Sequence, residues 1–464
     1  MNTQLHKNGL SYIETMGISV AIMAPTAAMA LNGSLAASIA GTSVPLTFLL
    51  AMITIGFVAF AFIQFNRYFS SSGSVYAFTT ASLGPKMGFL SGWTLLLTYL
   101  VFTAASAAEV GAFMQSFFSY LGWQVGWLPI ALIAILFIWL FAFFDVKLSA
   151  RVMLIFEGIS ILLILILTTV ILSRGGASGH LSLSPFTLGQ NHFSNVGLAA
   201  VFAFLSFAGF EGASSLGEET ANPKRSIPIA IGSAVFLTGI FYLLVSYAQT
   251  VGFGLNYAGV KAFATSAAPL GELAQKYMST GFAAAIMFGA AMSAFSSGLG
   301  TATTGSRLLF SMGRDGFLTR KLGNVHPRFK SPYLALAAVI IIAILQMIVL
   351  FSQSGTNVFG YLGTIGVLAL LLAYLATNVG AMVYFWRNRI WRGMTLLIPV
   401  LAVIMLGYTL YSNVFPIPTA PYNYFPYLVL VWIVIGVILV LINPQLTTNI
   451  ARRLVEESEI SIDN

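Results

Sequence analysis

The sequence predicts an all-α membrane protein with twelve transmembrane helices, and three observations predict it. Charged residues make up 7 % of the 464 and apolar residues 58 %, whereas a soluble domain carries about a quarter charged residues. So few charges could not clothe a soluble surface. Twelve stretches also reach the roughly 20 mostly apolar residues that a helix needs to cross a bilayer core. Finally, when those stretches alternate across the membrane, the basic residues sort to one side. The same composition excludes disorder, where the balance runs the other way. The absence of cysteine excludes a disulfide scaffold, a thiolate metal site and a cysteine nucleophile.

The stretches fall near 14–40, 44–66, 87–118, 125–144, 150–172 and 194–217, then near 229–252, 280–312, 333–352, 357–385, 393–412 and 425–443. They are long and continuous, which fits helices. A membrane strand alternates over about 10 residues. Residues 1–13 are polar, and the first apolar run exceeds the roughly 7–15 residues of a cleaved signal, so no signal peptide is expected. The largest gaps, 173–193, 253–279 and 313–332, read as loops or short surface helices. A single transmembrane domain over 1–464 is therefore expected.

With the N-terminus inside, eighteen of the 21 Lys and Arg residues fall on the inner side, and only Arg174, Lys261 and Lys276 fall outside. Cytoplasmic loops carry this kind of excess. An error of one span would scatter the charges over both faces. The expectation is a multi-pass protein of the cytoplasmic membrane with both termini in the cytoplasm. A net charge of +8 would also suit nucleic acid, but the basic residues hug span ends and form no dense run, so no nucleic-acid partner is expected.

Two spans are interrupted. In the first, Pro25 sits mid-span; it removes a backbone donor and clashes with the carbonyl four residues earlier. A plain kink is one reading of this. The sixth span runs Leu205-Ser-Phe-Ala-Gly209-Phe-Glu211-Gly212, with two glycines around an ionisable residue. Glycine weakens a helix by roughly 1 kcal/mol relative to alanine. A mid-membrane carboxylate costs about 2.5–3.5 kcal/mol and is usually functional. Spans 1 and 6 are five apart, so the second set of five enters from the opposite side. Breaks at corresponding positions of inverted halves point to a transporter site at the midplane.

These residues resemble the amino acid–polyamine–organocation superfamily of transporters along nearly the whole chain. The resemblance is carried first by Phe207-Ala-Gly-Phe-Glu211 with Glu218-Glu219-Thr-Ala-Asn222-Pro223-Lys224-Arg225-Ser-Ile-Pro228. It continues in Gly298 to Gly316, ending Ser306-Arg307-Leu-Leu-Phe-Ser-Met-Gly-Arg314-Asp315-Gly316, and in Gly73-Ser-Val-Tyr76 with Gly88-Phe89-x-x-Gly92-Trp93. It implies a leucine-transporter-like fold of two inverted five-helix repeats, about 14–172 and 194–385. Helices 1 and 6 would be broken, and two accessory helices would follow at about 393–443. Alternating access would come from spans 1, 2, 6 and 7 rocking against 3, 4, 8 and 9. The chain departs from the family in three places. Where many members carry a glycine-serine string it has Met23-Ala24-Pro25-Thr26-Ala27-Ala28, and before the tyrosine it has Ser71-Ser-Gly-Ser74. Ser160 stands where some basic-amino-acid members place a lysine acting for sodium. Neither substrate class nor coupling ion carries over from those members.

An α-amino acid would offer its carboxylate to N–H groups at a half-helix N-terminus, where the dipole is positive, and its ammonium to carbonyls at a half-helix C-terminus. The substrate-binding candidates are therefore Met23, Ala24, Pro25, Thr26, Ala27 and Ala28 in span 1, and Ser206, Phe207, Ala208, Gly209 and Phe210 in span 6. Small residues at these places also suit helix packing. Three carboxylates lie well within spans: Glu109, Glu157 and Glu211. The resemblance implies that Glu211 ties the broken helix to its neighbours and senses protons, and that Glu109 lies where span 3 lines the pocket. Glu157 sits two turns into span 5, off the membrane middle. No basic residue lies deep in a span to pair with them, and a buried, unpaired carboxyl favours its neutral form. The three are candidates for proton coupling, and equally for neutral structural acids. Ser296 and Ser297 are candidates for a sodium site, and Phe207, Phe210 and Tyr361 for aromatic gates.

The expected function is secondary active transport of amino acids or related amines, proton-coupled, with sodium symport or exchange as alternatives. The four histidines sit in predicted loops, and no HExxH, nucleophile elbow or GxxxxGK[ST] occurs. No enzyme activity, metal or cofactor is expected. A channel would want a carbonyl filter or rings of charge, and neither is visible. The expected partners are a small-molecule substrate, the lipid bilayer and a coupling ion; the sequence leaves the oligomeric state open.

Overall fold

The computed structural model describes residues 10–443 apart from 70–72, 145, 190, 218, 317–318 and 392, together with 445 and 448; of 146–150, 152 and 153 it describes the backbone only. Ser71 and Glu218 of the sequence motifs, and the inner-side charges Lys7, Arg392, Arg452 and Arg453, lie outside the described residues.

Sixteen α-helices run through the described residues. Helix α1 (Tyr12–Met23) starts on a capping box. The Ser11 hydroxyl accepts from the Glu14 N–H, and the Glu14 carboxylate accepts from the Ser11 N–H. Helix α2 (Pro25–Ala40) follows after one residue, then α3 (Val44–Tyr68) and the short α4 (Val75–Leu83), which the sequence reading did not foresee. The long α5 (Pro85–Tyr120), α6 (Trp127–Phe144) and α7 (Val146–Ser173) come next. Helix α8 (Phe193–Phe207) continues, after a break, as a 3-10 helix over Phe210–Leu216. Helix α9 (Pro223–Phe253) leads to α10 (Tyr257–Thr265) and α11 (Pro269–Tyr277), in the gap read as loop or short helix. Helices α12 (Thr280–Arg314), α13 (Tyr333–Val349), α14 (Gly355–Arg387), α15 (Leu397–Ser412) and α16 (Phe425–Ile442) complete the chain.

Ten helical stretches among the described residues are long and apolar enough to cross a membrane. The first of them, Tyr12–Tyr68, holds 57 residues and takes in the first two predicted spans. Helix α13 is apolar and has 17 residues, at the lower end of the roughly 17–25 that a crossing takes. Among the described residues the one extended pairing joins Leu10 to Thr220, parallel, with Leu10 N–H donating to the Glu219 carbonyl at 3.0 Å.

Helix α5 lies at the centre, between α12 and α14; 94 % of its most apolar window is buried, against 22 % for α16. Residues such as Leu430, Val431, Ile435, Ile438 and Leu441 leave the outer face of α16 exposed and apolar, as a lipid-facing surface requires. A reciprocal contact helps to hold helix α16 to α5. The Trp93 and Trp432 rings stack at 4.1 Å, and each indole N–H donates to the other residue's carbonyl, at 2.7 and 2.8 Å.

Candidate functional site

The two sequence breaks meet at the centre of the bundle. Proline cannot donate to the carbonyl four residues back, and it drives the preceding residue out of the right-handed helix. Ala24 accordingly sits in the left-handed region (φ 43°, ψ 64°), ending α1 and starting α2, with Pro25 in the first position of α2. Helix α8 ends at Phe207, Ala208 is extended, and Gly209 turns the chain at φ 100°. A side chain at Gly209 would overlap Ile22, and Gly212 and Gly300 face the same residue. Ile22, at the end of α1, is thus seated between the span 6 break and α12.

In a protein interior away from water, every backbone group released by a break needs a partner, and these groups find theirs on neighbouring helices. Ser297 Oγ on α12 donates to the Ile22 carbonyl at 2.9 Å. Tyr242 Oη on α9 bridges both breaks, donating to the Ser206 carbonyl at 2.6 Å and reaching the Met23 carbonyl at 3.3 Å. Thr26 N–H donates to Glu157 Oε1 and Ala27 N–H to Ser293 Oγ, each at 3.1 Å. Ser19 Oγ donates to the Phe210 carbonyl at 2.8 Å and accepts from Ala213 N–H at 3.1 Å. Asn32 Nδ2 donates to Ser206 Oγ at 2.8 Å.

Beside the breaks lies a cavity of about 30 Å³, lined by Met23, Ala24, Ala28, Ala208, Glu109 and Ser297. Asn32, Ser106, Phe102, Leu205 and Phe359 complete most of its wall. Glu109 is 2 % exposed and Asn32 1 %. Glu109 Oε1 and Asn32 Oδ1 are buried without a hydrogen-bond partner. Ser106 Oγ donates to Ser297 Oγ at 3.1 Å. The cavity wall is therefore apolar with two free acceptors, one of them a carboxyl.

The sequence candidates separate into groups. Met23, Ala24, Ala28, Ala208, Glu109 and Ser297 come together at the cavity. Pro25, Thr26 and Ala27 belong to the break but do not line the cavity, and the Thr26 and Ala27 N–H groups point to α7 and α12 instead. Ser206 serves the break through its carbonyl and hydroxyl. Phe207 packs edge-on to Tyr242 at 4.9 Å, and Phe210 packs against Phe62 and Tyr374. Tyr361 is away from the cavity, against Tyr422 and Phe425; the aromatic residues on the cavity wall are Phe102 and Phe359. Ser296 Oγ bonds only back along its own helix, to the Met292 carbonyl at 3.0 Å.

The acids separate as well. Glu211 Oε1 accepts from Tyr99 Oη at 2.8 Å, and Oε2 accepts from Tyr374 Oη at 2.5 Å and from Gly209 N–H at 3.1 Å. Helices α5 and α14 are thereby tied to the span 6 break. Glu157 reaches the span 1 break through the Thr26 N–H. Ser160, one turn on, bonds the Gly289 carbonyl at 2.9 Å. The sequence reading missed Asn32, Ser106, Tyr242 and Ser293. A lone Asn inside an apolar span, and Ser106 one turn before Glu109, were the available signals.

Residues 15–457 match the amino acid permease family. Over 320 residues the chain is 32 % identical to the branched-chain amino acid permease BcaP of Bacillus subtilis, covering 64 % of this chain and 65 % of that protein. It is 27 % identical over 354 residues to a methylthioribose transporter of the same organism, covering 70 % and 71 %. It is 27 % identical over 314 residues to the low-affinity putrescine importer PlaP of Escherichia coli, covering 66 % and 67 %. The chain thus aligns with about two thirds of the length of each. These relatives and the family are transporters, not enzymes, in keeping with the absence of a catalytic motif. The chain belongs to the amino acid permease family, within the amino acid–polyamine–organocation superfamily of membrane transporters.

Proposed function

We propose that this protein is a secondary transporter of amino acids or related amines in the cytoplasmic membrane, working by alternating access. The observation that carries the proposal is the meeting of two interrupted helices at a cavity lined by Glu109. Backbone released at membrane depth is tolerated where it is buried in protein or lines a cavity, and paired breaks mark substrate sites. The substrates that the relatives are named for, a branched-chain amino acid, methylthioribose and putrescine, leave the ligand class wide.

In this reading the chain is one transmembrane domain that crosses twelve times. Tyr12–Tyr68 is about 85 Å long at 1.5 Å per residue, enough for two crossings of a core of about 30 Å. The packing supports inverted repeats over about 14–172 and 194–385: α2 packs on α8, α3 on α9, α5 on α12 and α6 on α13. Each pair joins a span to the one five later. The sorting of basic residues supports cytoplasmic termini. Spans 1, 2, 6 and 7 would rock against 3, 4, 8 and 9, with the residues of 393–443 as accessory helices.

Glu109 contacts the substrate, and Glu211, Glu109 and Glu157 are the residues through which protons would couple. The sodium alternative is favoured by one observation, the approach of Ser297 to the Ile22 carbonyl; Ser296 takes no part in it. Saturable counterflow in liposomes distinguishes a transporter from a channel. Glu109→Gln should alter affinity, selectivity or the pH dependence of uptake, and an unchanged profile removes Glu109 from the site. Concentrative uptake that persists without sodium after the pH gradient is collapsed defeats proton coupling.

A further inference from the structure

We infer that the ligand of this cavity is an organic amine without a carboxylate. The inference rests on the transport reading above and narrows its substrate class. A carboxylate taken out of water needs a cation or a helix N-terminus. The helix N-terminus at hand is that of α2, and its donors are spent. Pro25 has no N–H. Thr26 N–H is held by Glu157 Oε1 and Ala27 N–H by Ser293 Oγ, each at 3.1 Å. Ala28 N–H returns to the Ala24 carbonyl at 2.9 Å. Glu157 thus takes up, with its own carboxyl, an N–H that the carboxylate of an amino acid would need.

The cavity side of the break has the opposite need. Glu109 Oε1 and Asn32 Oδ1 are buried acceptors with no donor. The hydroxyl hydrogens of Ser106 and Ser297 are already given to Ser297 Oγ and the Ile22 carbonyl, and Asn32 Nδ2 gives one of its two hydrogens to Ser206 Oγ. No Lys, Arg or His is among the lining residues. An ammonium group brings three donors and a positive charge to this wall, and its hydrogen bond to a carboxylate is charge-assisted. Phe102, Leu205 and Phe359 offer apolar contact to the hydrocarbon part.

The test uses pairs that differ only by the carboxylate: leucine and isoamylamine, ornithine and putrescine, lysine and cadaverine, arginine and agmatine. Equilibrium binding to the purified full-length protein is measured for all eight. At least one amine is expected to bind about tenfold more tightly than its amino acid, equivalent to about 1.4 kcal/mol, and no amino acid is expected to outrank its amine. An amino acid that binds as well as its amine, or better, overturns the inference and leaves the transport reading standing. Failure of all eight to bind overturns both. Glu157→Ala tests the cause, read as the affinity ratio within the best pair, which does not depend on the folded fraction. The amine preference should narrow at least about threefold; an unchanged ratio overturns the role assigned to the occupied helix terminus.

Discussion

Ile22 lies so close against Gly209 that a methyl group added at the glycine would overlap its side chain. Gly209 also turns at φ 100°, a conformation that L side chains rarely adopt. Gly300 presses on the same Ile22 from α12, but within a regular helix. Substitution at the two glycines should therefore differ in kind. Both Gly209→Ala and Gly300→Ala are expected to lower thermal stability, by about 1–3 kcal/mol from overpacking. Adding Ile22→Ala should rescue Gly300→Ala more fully than Gly209→Ala, because backbone strain of about 1–2 kcal/mol persists at Gly209. Thermal unfolding of the four variants in one detergent checks this.

The two tyrosines on Glu211 are not equivalent. Among the described residues Tyr99 is the one donor to Oε1, whereas Oε2 keeps Gly209 N–H when Tyr374 is removed. A buried acceptor left without a partner costs about 1–3 kcal/mol. Tyr99→Phe is expected to fall in that range and Tyr374→Phe below it. Equal losses in an unfolding titration would count against the asymmetry.

At the end of α12, Arg307 grips Glu219 with two nitrogens, at 2.6 and 3.1 Å, and both side chains are buried. Removing one partner of a buried pair leaves an uncompensated charge and costs about 3–5 kcal/mol. Arg307→Met should be that damaging, and Arg307→Lys should recover only part of the loss, since lysine cannot grip bidentately. The double variant Arg307→Met/Glu219→Met should be more stable than Arg307→Met alone. Expression level and melting temperature of the three variants read this directly.

The serines of α12 form a graded series. Ser293 holds the Ala27 N–H and Ser297 holds the Ile22 carbonyl, while Ser296 bonds only within its own helix. Ser293→Ala and Ser297→Ala should each cost about 1–3 kcal/mol. Ser296→Ala should stay within about 0.5 kcal/mol. A costly Ser296→Ala would show that α12 meets span 1 in a different register.

Much of this protein is legible along the chain because lipid imposes one-dimensional rules. Helix positions follow from the length of apolar runs, so 14–40 to 425–443 coincide with observed helices. The breaks follow from local chemistry: Pro25 has no donor to give, and Gly209 and Gly212 flank an acid. Tyr361 shows where such reading ends. Its distance from the cavity depends on how α14 is rotated against α16, and no run of residues encodes that by itself.

The sequence by itself determined that the chain is helical, apolar and interrupted at two places, and it named Glu109, Glu157 and Glu211 as the acids to watch. It could not determine which group satisfies which. That was decided by tertiary structure, because a backbone group freed in a dry interior takes the nearest donor or acceptor, and nearness is set by packing between helices. Glu157 is the sharpest case. Counted from an apolar run it stands off-centre, and α7 carries it to the Thr26 N–H, 131 residues away in sequence. That contact, more than any motif, decides what the cavity has left to offer a ligand.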